Sequence, residues 1–222
     1  MKPKKIILIR HGKSEGNENP AIYIEKPDYA LELSETGLKQ ADDAGKELLG
    51  IVGNERVMFY ISPFFRTRST FERIARQLPR SQFDYREEPR LREQEWGHLR
   101  SVEENKQIDA ERDRYGTFYY RFPDGESCAD VYDRVSDFFG TLYRDFSKDE
   151  FPENTVVITH GMTIRLFLMK WLKWSVEDFE TYSNPYNCQS VILQRNDYGK
   201  YELISTLIRR PAKHNFQRPI LL

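Results

Sequence analysis

Short apolar runs alternate along this chain with longer stretches in which apolar residues return every three or four positions. Residues 4–10 carry the uninterrupted run Ile6-Ile7-Leu8-Ile9. Val57-Met58-Phe59-Tyr60-Ile61 and Thr155-Val156-Val157-Ile158-Thr159 are alike in length and composition. All three predict buried strands. Between and after them the period changes to that of helices. Ser34 is placed to cap a helix over roughly 35–49, with Leu38, Ala41, Ala44 or Gly45, and Leu48 on one face. Arg66 to Leu78 reads as a helix stopped by Pro79. Over 127–147, Val131, Val135, Phe138, Leu142 and Phe146 form a single apolar stripe. Met162 to Leu172 is apolar nearly all round, as a buried helix is. Ser190–Gln194 and Tyr201–Leu207 alternate and read as strands joined across Asn196-Asp197-Tyr198-Gly199. The tail after Ile208 has two prolines and no period, and is expected to be an extended arm over about 209–222. Strands alternating with helices imply a three-layer α/β/α sandwich with a mostly parallel central sheet.

Each of the first three runs ends in residues with chemistry to offer. Arg10-His11-Gly12 follows the first, Ser62-Pro63-Phe64-Phe65-Arg66 the second, and His160-Gly161 the third. In a parallel sheet the carboxyl ends of the strands share one edge, where ligands bind. That topology brings Arg10, His11, Arg66 and His160 together. Two cations and two imidazoles in one place point to chemistry on an anion, with phosphate the best match for planar guanidinium forks.

The composition narrows the classes. The 222 residues include 39% hydrophobic and 14% aromatic residues, enough for a sizeable core, and no Pro/Gly/Ser-rich linker divides the chain. One domain over 1–222 is therefore expected. With 34 Lys+Arg against 35 Asp+Glu, the net charge of −1 argues against nucleic acid as a partner. No apolar run reaches the ~18 residues a membrane span needs. The segment before Arg10 is too short in apolar residues for a signal-peptide core, so the cytosol is the expected location. Cys128 and Cys188, 60 positions apart, match neither a disulfide framework nor a zinc pattern and are expected to be reduced and partly buried.

LIRHGKSEGN at 8–17, SPFFRTRST at 62–70, LREQEWG at 91–97, PDGES at 123–127 and ITHG at 158–161 occur in an order that resembles the histidine phosphatase (phosphoglycerate-mutase-like) superfamily. The resemblance spans most of the chain. It implies the phosphoglycerate-mutase-like sandwich, His11 as a nucleophile that forms phosphohistidine, and Arg10, Arg66 and His160 completing the phosphate pocket. It also implies Glu93 as general acid/base, with Asn17 and the backbone amide of Gly161 on phosphate oxygens. Position 13, often Glu or Gln in that superfamily, is Lys13 here and is expected to face solvent. Glu95 is the neighbouring rival for Glu93, but the frame from Leu91 to Gly97 favours Glu93.

The expected chemistry follows from these residues. An imidazole attacks phosphorus only when its nitrogen is unprotonated, and nearby arginines favour that form. Glu93 would protonate the leaving oxygen and then activate water. A metal held by His11, Glu93, His98 and His160 is disfavoured, because the adjacent arginines would repel a dication, and no cofactor is expected. The favoured reading is a metal-independent phosphatase for small organic phosphomonoesters. A phosphoglycerate mutase, which would bring in 2,3-bisphosphoglycerate, is the alternative. Glu93 and His160 lie 67 positions apart, shorter than in the cofactor-dependent mutases. A non-catalytic phosphate-binding module is the remaining reading. Residues 98–122 are expected to form a cap, with Arg100, Arg112, Arg114 and Arg121 as cations and Tyr115, Phe118, Tyr119, Tyr120 and Phe122 as flat apolar surface. His98 and His214 are expected to be ordinary surface histidines. The oligomeric state is left open.

Overall fold

The run Ile6-Ile7-Leu8-Ile9 has no polar face because its strand is covered on both sides. In the computed structural model, which describes residues 2–97 and 102–210, this strand is β1 (Lys5–Arg10). Ile6 and Leu8 point into one apolar cluster, Ile7 and Ile9 into another. Along the chain follow α1 (Glu15–Glu18), α2 (Glu35–Val52), β2 (Val57–Ile61), α3 (Phe65–Ala75), β3 (Phe83–Glu87) and α4 (Val102–Tyr115). The remainder comprises α5 (Cys128–Phe146), β4 (Asn154–Thr159), α6 (Gly161–Leu172), α7 (Val176–Glu180), β5 (Ser190–Arg195) and β6 (Tyr201–Leu203).

The strands form one sheet in the order β3-β2-β4-β1-β5-β6. The first four run parallel, and β5 and β6 are antiparallel additions. Helices α2 and α3 supply Ala41, Ala44, Leu48, Phe71 and Ile74 to one face. Helices α5 and α6 supply Val131, Val135, Phe138, Ile164 and Phe167 to the other. Each of the Val, Leu, Ile and Phe side chains among these, once fully buried, contributes about 1.5–3 kcal/mol relative to exposure. The expected three-layer sandwich is the observed one.

Three elements differ from the sequence reading. The last strand ends at Leu203 rather than Leu207, because the Ser205 hydroxyl takes over a rung of the ladder. It accepts from the Ile192 amide at 2.9 Å and donates to the Ser190 carbonyl at 3.3 Å. Strand β3, FDYRE, was not expected; as an edge strand it keeps polar residues outward and lacks a continuous apolar run. Arg66 to Leu78 is helical only as far as Ala75. Cys128 and Cys188 are free and buried. His98, Arg100, His214 and the arm from residue 211 onward lie outside the described residues. No helix among the described residues is long and apolar enough to cross a membrane.

This topology positions the site. Strands β1 and β4 are neighbours in parallel register, Arg10 beside Thr159. The helices that follow them, α2 and α6, pack on opposite faces of the sheet. A crevice therefore opens between the two strand ends, the switch point at which α/β sheets bind ligands. The loop leaving β1 is pinned to the start of α2 by two glycines. A Cβ on Gly37 would lie 2.0 Å from the Lys13 carbonyl oxygen, and one on Gly12 would lie 2.6 Å from that of Gly37. Only bare backbone permits this approach. Gly37→Ala should therefore destabilise the protein by about 1–3 kcal/mol, read as a lower midpoint in urea denaturation. An unchanged midpoint would show that the two backbones do not meet so closely.

Candidate active site

His11 leaves β1 with its amide bonded to the Thr159 carbonyl at 2.9 Å, which continues the β1–β4 ladder by one residue. Its ring is buried, and Nδ1 lies 2.7 Å from the Gly12 carbonyl. A carbonyl oxygen can only accept, so Nδ1 carries the proton and Nε2 keeps its lone pair. Arg66 Nε donates to that Nε2 at 3.3 Å. Burial first, then the charges of Arg66 and Arg10, hold the His11 imidazole well below the ordinary histidine pKa.

His160 stands at the N-cap of α6, fully buried, its ring centroid 5.2 Å from that of His11. Its Nε2 lies 2.8 Å from the Ser62 hydroxyl, and its Nδ1 is 3.8 Å from Glu93 Oε2. Burial and Arg66 keep it neutral as well. Phe64 packs against the ring at 5.1 Å. The amide of Gly161, first in α6, is one of the donors that a helix leaves unpaired at its start. A Cβ there would meet Asn184 at 2.8 Å.

Arg66 sits in the first turn of α3 and is 2% exposed. Thr70, one turn on, donates to the Arg66 carbonyl and accepts from the Gly12 amide at 3.0 Å, tying α3 to the β1 loop. Arg10 Nη1 donates to the Pro185 carbonyl at 2.8 Å, and its buried Nε has no partner. Glu93 follows the turn at Pro89–Leu91, and its carbonyl accepts from Arg134 at 3.0 Å. Burial pushes the Glu93 carboxyl up to about 7 against the opposing pull of Arg66. Glu95 is exposed, so the expected rival lies outside. On α1, Asn17 Oδ1 accepts from the Ser14 amide at 3.2 Å and from Asn187 Nδ2 at 3.3 Å. Its own amino group is thereby left for a ligand.

These groups open onto a cavity of about 330 Å³ whose lining includes Arg10, His11, Asn17, Arg66 and Glu93. Pro20, Tyr23, Trp96, Ile108 and Phe122 supply apolar wall. Lys13 is not part of it and pairs with Glu18 at 3.4 Å near the surface. The expected cationic cap differs from what forms. Arg112 pairs with Asp109 along α4, Arg121 pairs with Asp130, and neither they nor Arg114 line the cavity. Of the cap aromatics, Phe122 lines it, Phe118 and Tyr120 are buried, and Tyr115 and Tyr119 are exposed. Ser62, Asn187 and Asp28, which position the central groups, were not singled out from sequence. One potential ligand atom from each of His11, Glu93 and His160 lies within 4.8 Å of the others. Yet the Arg66 N–H is aimed at the His11 lone pair a metal would use, and two guanidinium charges flank the set. The arrangement suits an anion better than a dication.

A model of the histidine phosphatase superfamily (branch 1) matches residues 6–205. This chain belongs to that superfamily. It is 44% identical over 90% of its length to the phosphoglycerate mutase-like protein AT74 of Arabidopsis thaliana, covering 68% of that protein. It is 28% identical to the broad-range acid phosphatase DET1 of Saccharomyces cerevisiae, with 93% of this chain and 90% of the relative covered. Among solved structures, a putative α-ribazole-5′-phosphate phosphatase from Escherichia coli superposes with a TM-score of 0.71 at 19% identity, covering 94% and 97% of the two chains. The chain is thus a histidine phosphatase-superfamily enzyme, of the phosphatase and phosphotransferase kind.

A buried carboxyl raised to about 7 has a measurable signature in this histidine phosphatase. The unfolded chain binds its Glu93 proton with an ordinary affinity, the native state more tightly. Glu93 therefore favours folding fully below about pH 4.5, and its contribution is lost as pH rises through 7. Glu93→Gln removes that dependence. Relative to wild type, the variant should gain up to about 3 kcal/mol between pH 4.5 and 8 in denaturant titrations. A constant difference across that range would place Glu93 in water.

Proposed function

We propose that the chain is a metal-independent phosphatase that hydrolyses small organic phosphomonoesters through a phosphohistidine on His11. One observation carries this reading: His11 Nδ1 lies 2.7 Å from the Gly12 carbonyl, which leaves Nε2 its lone pair beside the Arg66 guanidinium, and the Glu93 carboxyl, raised by burial to about 7, lines the same cavity. The substrate phosphate would lie between Arg10, Arg66, Asn17 and the Gly161 amide. His11 Nε2 forms a bond to phosphorus as the bond to the ester oxygen breaks, and Glu93 delivers a proton to the departing alkoxide. Water then attacks the phosphohistidine while the Glu93 carboxylate takes its proton, and phosphate and free His11 are regenerated. His160, neutral and held by Ser62, serves the transferring group as a hydrogen-bond donor. No step calls for a metal or an organic cofactor.

Hydrolysis is favoured over mutase chemistry by the distribution of cations. Among the described residues, the arginines lining the cavity are Arg10 and Arg66, whose charges both act on His11. The rest of the described lining, Pro20, Tyr23, Trp96, Ile108, Asp109, Phe122 and Asn184, offers no cation for a substrate carboxylate. A small, sparsely charged alcohol fits it better than a glycerate.

With p-nitrophenyl phosphate, kcat/KM should be high in the acidic range and fall as pH rises through about 7, where Glu93 loses its proton. Glu93→Gln should lower kcat by roughly 10²–10⁴-fold and flatten that limb. Activity should persist in EDTA and disappear in His11→Ala, and acid-labile, base-stable radiolabel should be trapped on the wild type alone. Rapid isomerisation of 3-phosphoglycerate, dependent on 2,3-bisphosphoglycerate and with little free phosphate, would replace this reading with the mutase one.

A further inference from the structure

Asp28 opens a single 3₁₀ turn, Asp28–Ala30, outside every sequence motif of the site. Its side chain is 20% exposed and faces the 2%-exposed guanidinium of Arg66. Arg66 Nη1 donates to the Asp28 backbone carbonyl at 2.6 Å and lies 2.8 Å from Oδ1, while Nη2 donates to Oδ2 at 3.3 Å. A guanidinium has two usable edges, the Nη1–Nη2 end and the Nε–Nη2 side. Asp28 takes the end. The side is left facing His11, with Nε 3.3 Å from the nucleophilic nitrogen.

We propose that Asp28 is a positioning residue for phosphoryl transfer: it grips the end of the Arg66 guanidinium and so presents the Nε side to the phosphate attacked by His11. The proposal rests on the phosphatase reading above and deepens it. Arg66 otherwise rests over the Phe64 ring, its Cζ 5.0 Å from the centroid, a contact that leaves the fork free to turn in its own plane. A fork fixed by both carboxylate and carbonyl removes that freedom before substrate arrives.

The same contact has an electrostatic consequence at Glu93. Arg66 from α3, Arg10 from the end of β1 and Arg134 from α5 all face Glu93 and favour its ionised form. The neutral His160 ring, the Tyr23 phenol and the buried Cys128 thiol also surround it. Asp109, on the cavity wall, is paired with Arg112. Asp28 is the carboxylate that opposes the arginines and helps Glu93 keep its proton. Removing its charge should make Glu93 the stronger acid.

The test compares Asp28→Asn, nearly isosteric but uncharged, with Asp28→Glu, which keeps the charge. With p-nitrophenyl phosphate as the common substrate, Asp28→Asn should lose kcat about tenfold or more. It should also move the alkaline limb of kcat/KM downward by roughly one pH unit. Asp28→Glu should keep the limb near its wild-type position and recover much of kcat. An unmoved limb in Asp28→Asn with near-normal kcat would overturn the proposal. Tighter inhibition by inorganic phosphate with kcat retained would also overturn it, making Asp28 a competitor of substrate instead. Should the wild type hydrolyse no phosphomonoester, the phosphatase reading falls on its own. Carbon-13 NMR of the Glu93 carboxyl, assigned by its loss in Glu93→Gln, then decides the charge role without turnover. A lower midpoint in Asp28→Asn supports the proposal, and an unchanged one refutes it.

Discussion

A buried guanidinium, that of Arg66, and a part-buried one, that of Arg10, meet at the end of a parallel sheet, and the rest of the site answers to that constraint. A charge taken out of water is costly unless it is paired, and a pair of like charges is costlier. Arg66 is met by a carboxylate and a carbonyl from Asp28. Arg10 is met by one carbonyl, with its Nε left unpartnered. Both imidazoles stay neutral, first because they are buried and then because a third and fourth positive charge would join those of the arginines. What remains is a preorganised positive field around an unprotonated nitrogen, completed by an anion.

The sheet makes this constraint sustainable. The field exists because β1 and β4 are adjacent and in register, so that His11 continues the ladder onto Thr159. The helices after these strands leave on opposite faces, and the crevice between them receives Arg10 and His11 from the end of β1 and Arg66 from α3. Helix α3 joins the same frame through Thr70, which bonds at once to the Arg66 carbonyl and the Gly12 amide. Three elements are therefore locked to one another within a few residues of the groups they carry.

The parts of this arrangement that sequence made legible are those written in contiguous residues. Central strands covered on both faces need no polar face, so the apolar runs of β1, β2 and β4 announce themselves, together with the Arg and His residues just past their ends. The stripe on α5 and the capping residue Ser34 are equally local. Edge strand β3 was missed because a strand half open to solvent needs no such run. The cap cations were misjudged because composition cannot tell an arginine aimed into a cavity from one satisfied three residues along its own helix, as Arg112 is by Asp109. Asp28, Ser62 and Asn187 were invisible for another reason. Each meets its partner across tens of residues of chain, and neither spacing nor residue type marks the contact.

The same arginine field has to serve two groups with opposite needs. The proposed nucleophile His11 must be unprotonated, and both burial and the arginines drive it that way. The proposed acid Glu93 must be protonated, and there the arginines work against burial. Moving Glu93 farther from the cations would help its proton but take it away from the leaving oxygen. A carboxylate placed on the arginine instead resolves the conflict at the source. Asp28 offsets part of the Arg66 charge as felt by Glu93, while the Nε–H side of that arginine still faces His11. One ion pair thereby lets a base and an acid share a cavity of about 330 Å³ near neutral pH.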